Sequence, residues 1–227
     1  MDISSEQELR QLADQLRKPE GAYGSEVAKF MNEGNLPMNL HALAVLNPSA
    51  GESILEIGMG NGYFVKNILN LDPSIHYIGC DYSPEMVELS SENNQNFIDQ
   101  GRARFFMADA SAMPVEDHSI DKVITINTLY FWENVHATLA EIKRVLKPNG
   151  TFYLAVRPKH ILKALPVTKF GFKLYNNDKI FEMLRFADFQ DVMMTSIVEP
   201  TIERHGERMN LETVIYQAKV GGEVSVA

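Results

Sequence analysis

Apolar positions fall into two alternating kinds of cluster along the chain. Short runs of strand length, at 53–57 (SILEI), 76–80 (HYIGC), 103–107 (ARFFM), 122–126 (KVITI) and 151–156 (TFYLAV), are bounded by Gly, Pro or Asp. Between them the spacing turns helical. Phe64, Ile68 and Leu71 recur at four and three residues, and Val135, Leu139, Ile142 and Leu146 at four, three and four, which predicts one apolar stripe on each segment. Ser83-Pro84-Glu85 supplies an N-cap, a proline at the first helical position and an early acid, so a helix is expected to start there and run toward Phe97. Lys147-Pro148-Asn149-Gly150 is expected to stop the helix that begins near Asn134. A helix-like stretch at 179–187 then precedes two further strand candidates, 191–198 and 212–220.

Strand and helix alternating with crossovers of this length imply a parallel sheet covered on both faces, because parallel strands need a long return path. The fold class is therefore α/β, doubly wound and mostly parallel. Residues 1–50 read as helices laid against the sheet, 51–220 as the main domain with a looser cap insertion at 157–176, and 221–227 as a flexible tail.

Charge narrows the partners. Lys and Arg number 21 against 30 Asp and Glu, a net charge of −9 that opposes approach to a phosphate backbone, so nucleic acid is not expected as a partner. No apolar run approaches the roughly 20 residues that cross a bilayer, and the charged stretch 1–17 lacks the apolar core of a secretory signal, so no membrane partner and a cytoplasmic location are expected. Cys80 is the one cysteine and reads as a buried structural thiol. The six histidines, at 41, 76, 118, 136, 160 and 205, show no metal-ligand spacing, and no metal is expected.

The chemistry gathers after the first strand, at Glu56-Ile57-Gly58-Met59-Gly60-Asn61-Gly62. In an open parallel sheet the loop after the first strand is the usual ligand cradle. A dinucleotide loop places a third glycine where this chain has Tyr63, and a Walker A loop needs a Gly-Lys-Ser or Gly-Lys-Thr that is missing. Glu56 would repel a pyrophosphate and attract an ammonium, so the loop points to a ligand without phosphates.

The segment resembles motif I of the class I S-adenosylmethionine-dependent methyltransferases: an acid, an apolar residue, then Gly-x-Gly-x-Gly. The resemblance extends over 53–156 through Asp81, Asp109, the turn from Met113 to Asp121 and the stretch Val145 to Gly150. It implies a Rossmann-like sheet of seven strands with an antiparallel last strand, and S-adenosyl-L-methionine as cofactor. By the same resemblance Glu56 orients the methionine ammonium, Asp81 accepts from both ribose hydroxyls, Tyr82 lies against the adenine, and Asp109 with the Ala110 amide reads the adenine edge. Gly58, Gly60 and Gly62 form the cradle. Asn127, ending the fourth strand, is a candidate for the methionine carboxylate, and Tyr130 and Trp132 for the acceptor side.

The implied reaction is in-line methyl transfer to a small-molecule acceptor, with residues 1–50 and 159–175 as the lid. No catalytic residue is assigned; His136 and His160 read as surface histidines. Asn127-Thr128-Leu129-Tyr130 departs from the Asn-Pro-Pro-Tyr or Asp-Pro-Pro-Tyr motif of enzymes that methylate amide or nucleobase amino groups. A protein or RNA methyltransferase, and a non-catalytic binder of the donor, stay open as alternatives.

Overall fold

The computed structural model describes residues 5–204 and 207–221. Of the tail expected at 221–227, all but Gly221 lies outside the described residues. Strands β1 (Ser53–Ile57), β2 (His76–Asp81), β3 (Ala103–Met107), β4 (Ile120–Ile126), β5 (Leu146–Val156), β6 (Phe189–Val198), β7 (Ile202–Arg204), β8 (Glu207–Met209) and β9 (Glu212–Val220) follow in chain order. Seven of them form one sheet in the order β3-β2-β1-β4-β5-β9-β6, in which β9 runs antiparallel to both neighbours. The doubly wound α/β fold with an antiparallel last strand is thus the observed one. β7 and β8 make a separate antiparallel ribbon that periodicity does not predict.

β1 is buried from Ile54 to Ile57 because strands pair on both of its edges and helices cover both faces. Alternation sends Ile54 and Glu56 to one face, Leu55 and Ile57 to the other. The Ile54 face packs under α3 (Leu36–Leu46) and α4 (Val65–Leu69) through Met38, Ala42, Leu46, Ile68 and Leu69. The Leu55 face packs under α7 (Val135–Val145) and α9 (Asn177–Phe186) through Leu139, Ile142, Ile180 and Leu184. Val135, Leu139 and Ile142 are buried on α7, as their spacing predicts, while Leu146 is buried as the first residue of β5.

Other expectations need correction. Leu71 is 60% exposed because α4 ends at Leu69, so the stripe stops at Ile68. The helix begun by Ser83 ends at Asn93 and resumes as a short turn, Gln95–Asp99. Asn94 breaks it: its side-chain amide donates to the carbonyls of Gly62 at 3.0 Å and Ser90 at 2.9 Å, and its backbone leaves the helical region at φ −124°. β5 begins at Leu146, five residues early, and passes Lys147-Pro148-Asn149-Gly150 with a register shift against β4 and Asn149 at φ 64°.

The chain before β1 forms α1 (Glu6–Arg17), α2 (Gly21–Gly34) and α3. α1 starts on a capping box in which Ser5 and Glu8 satisfy each other's backbone amides. No helix among the described residues is long and apolar enough to cross a membrane.

Candidate functional site

β2 and β4 flank β1 while the chain winds first one way and then the other, so the sheet order reverses at β1 and leaves a crevice at the carboxyl ends of these strands. A cavity of about 200 Å³ opens there. Its floor is Glu56, Gly58, Gly60, Asp81, Ala108 to Ala110 and Asn127, and its roof comes from Leu16, Arg17, Pro19, Met31, Asn32, Asn35 and Asn39.

Gly58, Gly60 and Gly62 all adopt positive φ, at 76°, 57° and 67°, which a side chain disfavours. They do three different jobs. The Gly58 amide donates to the Cys80 carbonyl at 2.7 Å, and a Cβ there would collide with Thr128 Cγ2. Gly60 lines the cavity, and nothing stands within 4 Å of where its Cβ would be. Gly62 does not line the cavity; a Cβ on it would meet Ser90 Cβ at 2.7 Å, so it lets the helix α5 (Pro84–Asn93) pack onto the loop.

Glu56 closes the α3 side of the floor. It is only 6% exposed, and burial lifts its carboxyl to about 7, with the nearby Asp81 charge pushing the same way. Against this, the Tyr77 hydroxyl donates to Oε2 at 2.7 Å. Asp81 accepts backbone amides from Gly60 at 3.0 Å and Ser83 at 2.9 Å, while burial raises its carboxyl above the usual range. Among the described residues neither acid has an ion-pair partner.

Asp109 behaves oppositely. The Ser111 hydroxyl and amide, at 2.6 Å and 2.8 Å, hold its Oδ1 and keep the carboxyl below its ordinary value. Ala110 lies beside it on the cavity wall, and Tyr82 stands across, 54% exposed, with the Lys18 ammonium 5.5 Å from its ring centre. Asn127 holds φ 60° at the end of β4; its side chain donates to Asn35 Oδ1 at 3.2 Å and accepts from the Tyr130 hydroxyl at 3.2 Å.

A buried acid without a cation, beside a second acid and an open glycine turn, suits a ligand that brings positive charge and hydroxyl donors. It does not suit a pyrophosphate. Known proteins agree. Residues 55–154 match the family model for the methyltransferase domain. An uncharacterized methyltransferase of Bacillus subtilis, YdaC, is 26% identical over 164 residues, spanning 72% of this chain and 85% of its own. Residues 55–154 thus form a methyltransferase domain, similar to those of the S-adenosylmethionine-dependent enzymes.

Relatives within the group differ in size and acceptor. A tRNA N(3)-cytidine methyltransferase of Danio rerio is 31% identical over 65% of this chain, but the match spans 44% of that protein. In fold, a methyltransferase solved in complex with the Haloferax volcanii Trm112 methyltransferase activator superposes with a TM-score of 0.74 at 22% identity, covering 96% of this chain and all of that one.

Trp132 is buried and lines the cavity together with Phe131. Tyr130 does not line it. Its ring is buried against Phe131 and Phe172, and its hydroxyl bridges Asn127 and the backbone of Arg157, so it supports the cavity from behind. The segment 157–176 acts likewise. Lys173 donates to the carbonyls of Trp132 at 2.8 Å and Glu133 at 3.0 Å, and Arg10 of α1 stacks over Phe170 at 4.4 Å. His136 packs on Phe186 and His160 faces Glu212 at 3.7 Å, both away from the cavity.

Sequence reasoning did not single out Asn35, Asn39 or Tyr77, whereas Met31 and Asn32, which also line the cavity, fall in a stretch that the resemblance places over the donor. By that resemblance Ala22-Tyr23-Gly24 and Phe30-Met31-Asn32 lie in the region expected to fold over the donor. The roof is tied down on both sides: Arg17 pairs with Glu133 at 2.8 Å, while Ser83, which caps α5, holds the Pro19 carbonyl of the α1–α2 turn and Glu85 of α5 accepts from the Gly21 amide and Ser25 Oγ at the start of α2. Cys80 lies buried in the cavity floor against Met113, and burial beside Asp81 holds its thiol far above the usual range.

Proposed function

We propose that this methyltransferase acts on a small-molecule acceptor, with the donor held on the glycine loop and the acceptor under the N-terminal helices. The observation that carries the reading is the roof: three helices close the acceptor side, leaving a cavity walled by Met31, Asn32, Asn35, Phe131 and Trp132. When bound, S-adenosylmethionine supplies an electrophilic methyl group on a sulfonium. Glu56 faces its ammonium, Asp81 its ribose hydroxyls, and Asp109 with Ala110 its adenine edge, while Tyr82 covers the ring and Asn127 meets the carboxylate.

The chain contributes orientation and exclusion of water more than proton transfer. Holding the acceptor in line accounts for much of such a rate, and a closed roof removes competing solvent. No side chain is assigned as a base. The division into a helical lid at 1–50, a cap at 157–176 and a methyltransferase domain belongs to the same proposal, as does the cytoplasmic location.

Methyl-labelled S-adenosylmethionine incubated with a metabolite extract, bulk tRNA and a protein extract in parallel tests the reading. Label in small molecules alone is expected. Label confined to tRNA or protein would replace the proposal with the corresponding branch, and no transfer in any arm despite donor binding would favour a binder.

A further inference from the structure

The strand register sets Glu56 opposite Gly79 and Ile54 opposite Tyr77, so Glu56 and Tyr77 lie diagonally on one face of the sheet. Gly79 leaves this diagonal clear, since any Cβ there would meet Phe105 at 2.8 Å and Met59 at 3.1 Å. Tyr77 is 1% exposed, in an apolar cluster with Ile68, Phe97 and Phe105. Its hydroxyl has one hydrogen-bond partner among the described residues, Glu56 Oε2, and Glu56 has no other side-chain donor there. A buried hydroxyl placed in an apolar cluster to meet one oxygen of a buried acid leaves the other oxygen to face the cavity.

We propose that Tyr77 is a positioning residue for the methyl donor, holding the Glu56 carboxylate ionised and aimed so that its free oxygen meets the donor's ammonium. This rests on the reading that Glu56 faces that ammonium. The charged and titratable groups near Glu56 are Tyr77, Cys80 and Asp81 on β2, with Asp109, Arg17 and Glu133 lining the same cavity. A hydrogen bond from Tyr77 favours the ionised carboxylate, against burial and the charge of Asp81. Losing it moves ionisation of Glu56 to higher pH.

The test is calorimetric titration of S-adenosylmethionine and S-adenosylhomocysteine into the full chain and the Tyr77→Phe and Glu56→Gln variants, from pH 6 to 9. The donor's own amino group titrates alike in every protein, so differences between profiles report on Glu56. Tyr77→Phe is expected to weaken binding about fivefold at pH 7, the fall in ionised Glu56 when a carboxyl that titrates near neutrality does so about one pH unit higher, with the gap closing by pH 9. Glu56→Gln is expected to weaken binding at every pH and to remove the step. A loss for Tyr77→Phe that is equal at all pH values, or no loss, overturns the role of Tyr77 while Glu56→Gln still weakens binding. Full affinity in Glu56→Gln overturns the placement of the ammonium instead. Tyr77→Leu, which abolishes the hydroxyl and the ring, is expected to match the pH profile of Tyr77→Phe after correction for the folded fraction read from circular dichroism.

Discussion

Ser83 is fully buried and donates its hydroxyl to the carbonyl of Pro19 at 2.6 Å, while the same oxygen caps α5 by accepting the Met86 amide at 3.3 Å. One atom thus starts the helix after β2 and anchors the roof. Removing it costs both a cap and a satisfied buried carbonyl. Ser83→Ala is expected to lose about 2 kcal/mol in urea unfolding, and limited proteolysis should cut the variant faster between α1 and α2.

The three glycines should separate by assay. Gly62→Ala meets Ser90 and Asn94 in addition to its strained φ, so it is expected to lower stability by about 2 kcal/mol or more. Gly60→Ala has open space around its new methyl and loses only the left-handed penalty of about 1 kcal/mol. Its methyl enters the cavity, however, and donor affinity measured by calorimetry should fall more for Gly60→Ala than its melting temperature suggests.

Glu56 makes the fold less stable at neutral pH. Its carboxyl is raised from 4.5 to about 7, so the folded protein keeps a proton that the unfolded chain has already released. That contribution is full below about pH 4.5 and is lost as pH rises to about 7, amounting to about 3 kcal/mol. Glu56→Gln has no such slope. In urea unfolding without ligand it is expected to gain on the parent as pH rises and to be the more stable protein at pH 8; an unchanged difference between the two proteins at pH 5 and pH 8 would contradict the assignment.

Arg157 and Glu199 form a buried ion pair at the end of β5, joined by Thr213. Glu199→Ala leaves the guanidinium buried without its partner and is expected to cost about 3 to 5 kcal/mol. The double variant Arg157→Met with Glu199→Leu should recover most of that loss in thermal melts, since both charges leave together.

Local patterns carried most of the sheet into view. Alternation and turn residues located β1, β2, β3 and β9 closely, and the glycine loop with Asp81, Asp109 and Asn127 marked strand ends that converge on one cavity. What stayed hidden depends on residues far apart in the chain. Asn94 breaks its helix because Gly62 lies 32 positions away, and Leu71 points to solvent because its helix ends early, at Leu69. The same holds for the pairing of Tyr77 with Glu56 and for the roof, where α2 and α3 carry their site-facing asparagines without any periodic signature.

Cys80 turns the position of the cavity floor into a clock. Its thiol is covered, held in the unreactive protonated form and unique in the sequence, so an alkylating reagent can reach it only when the floor or roof opens. The rate of its modification therefore counts openings of the donor site in the unaltered protein, with no probe to install. A ligand that seats on the glycine loop should slow that count in proportion to its occupancy, whatever molecule finally takes the methyl group.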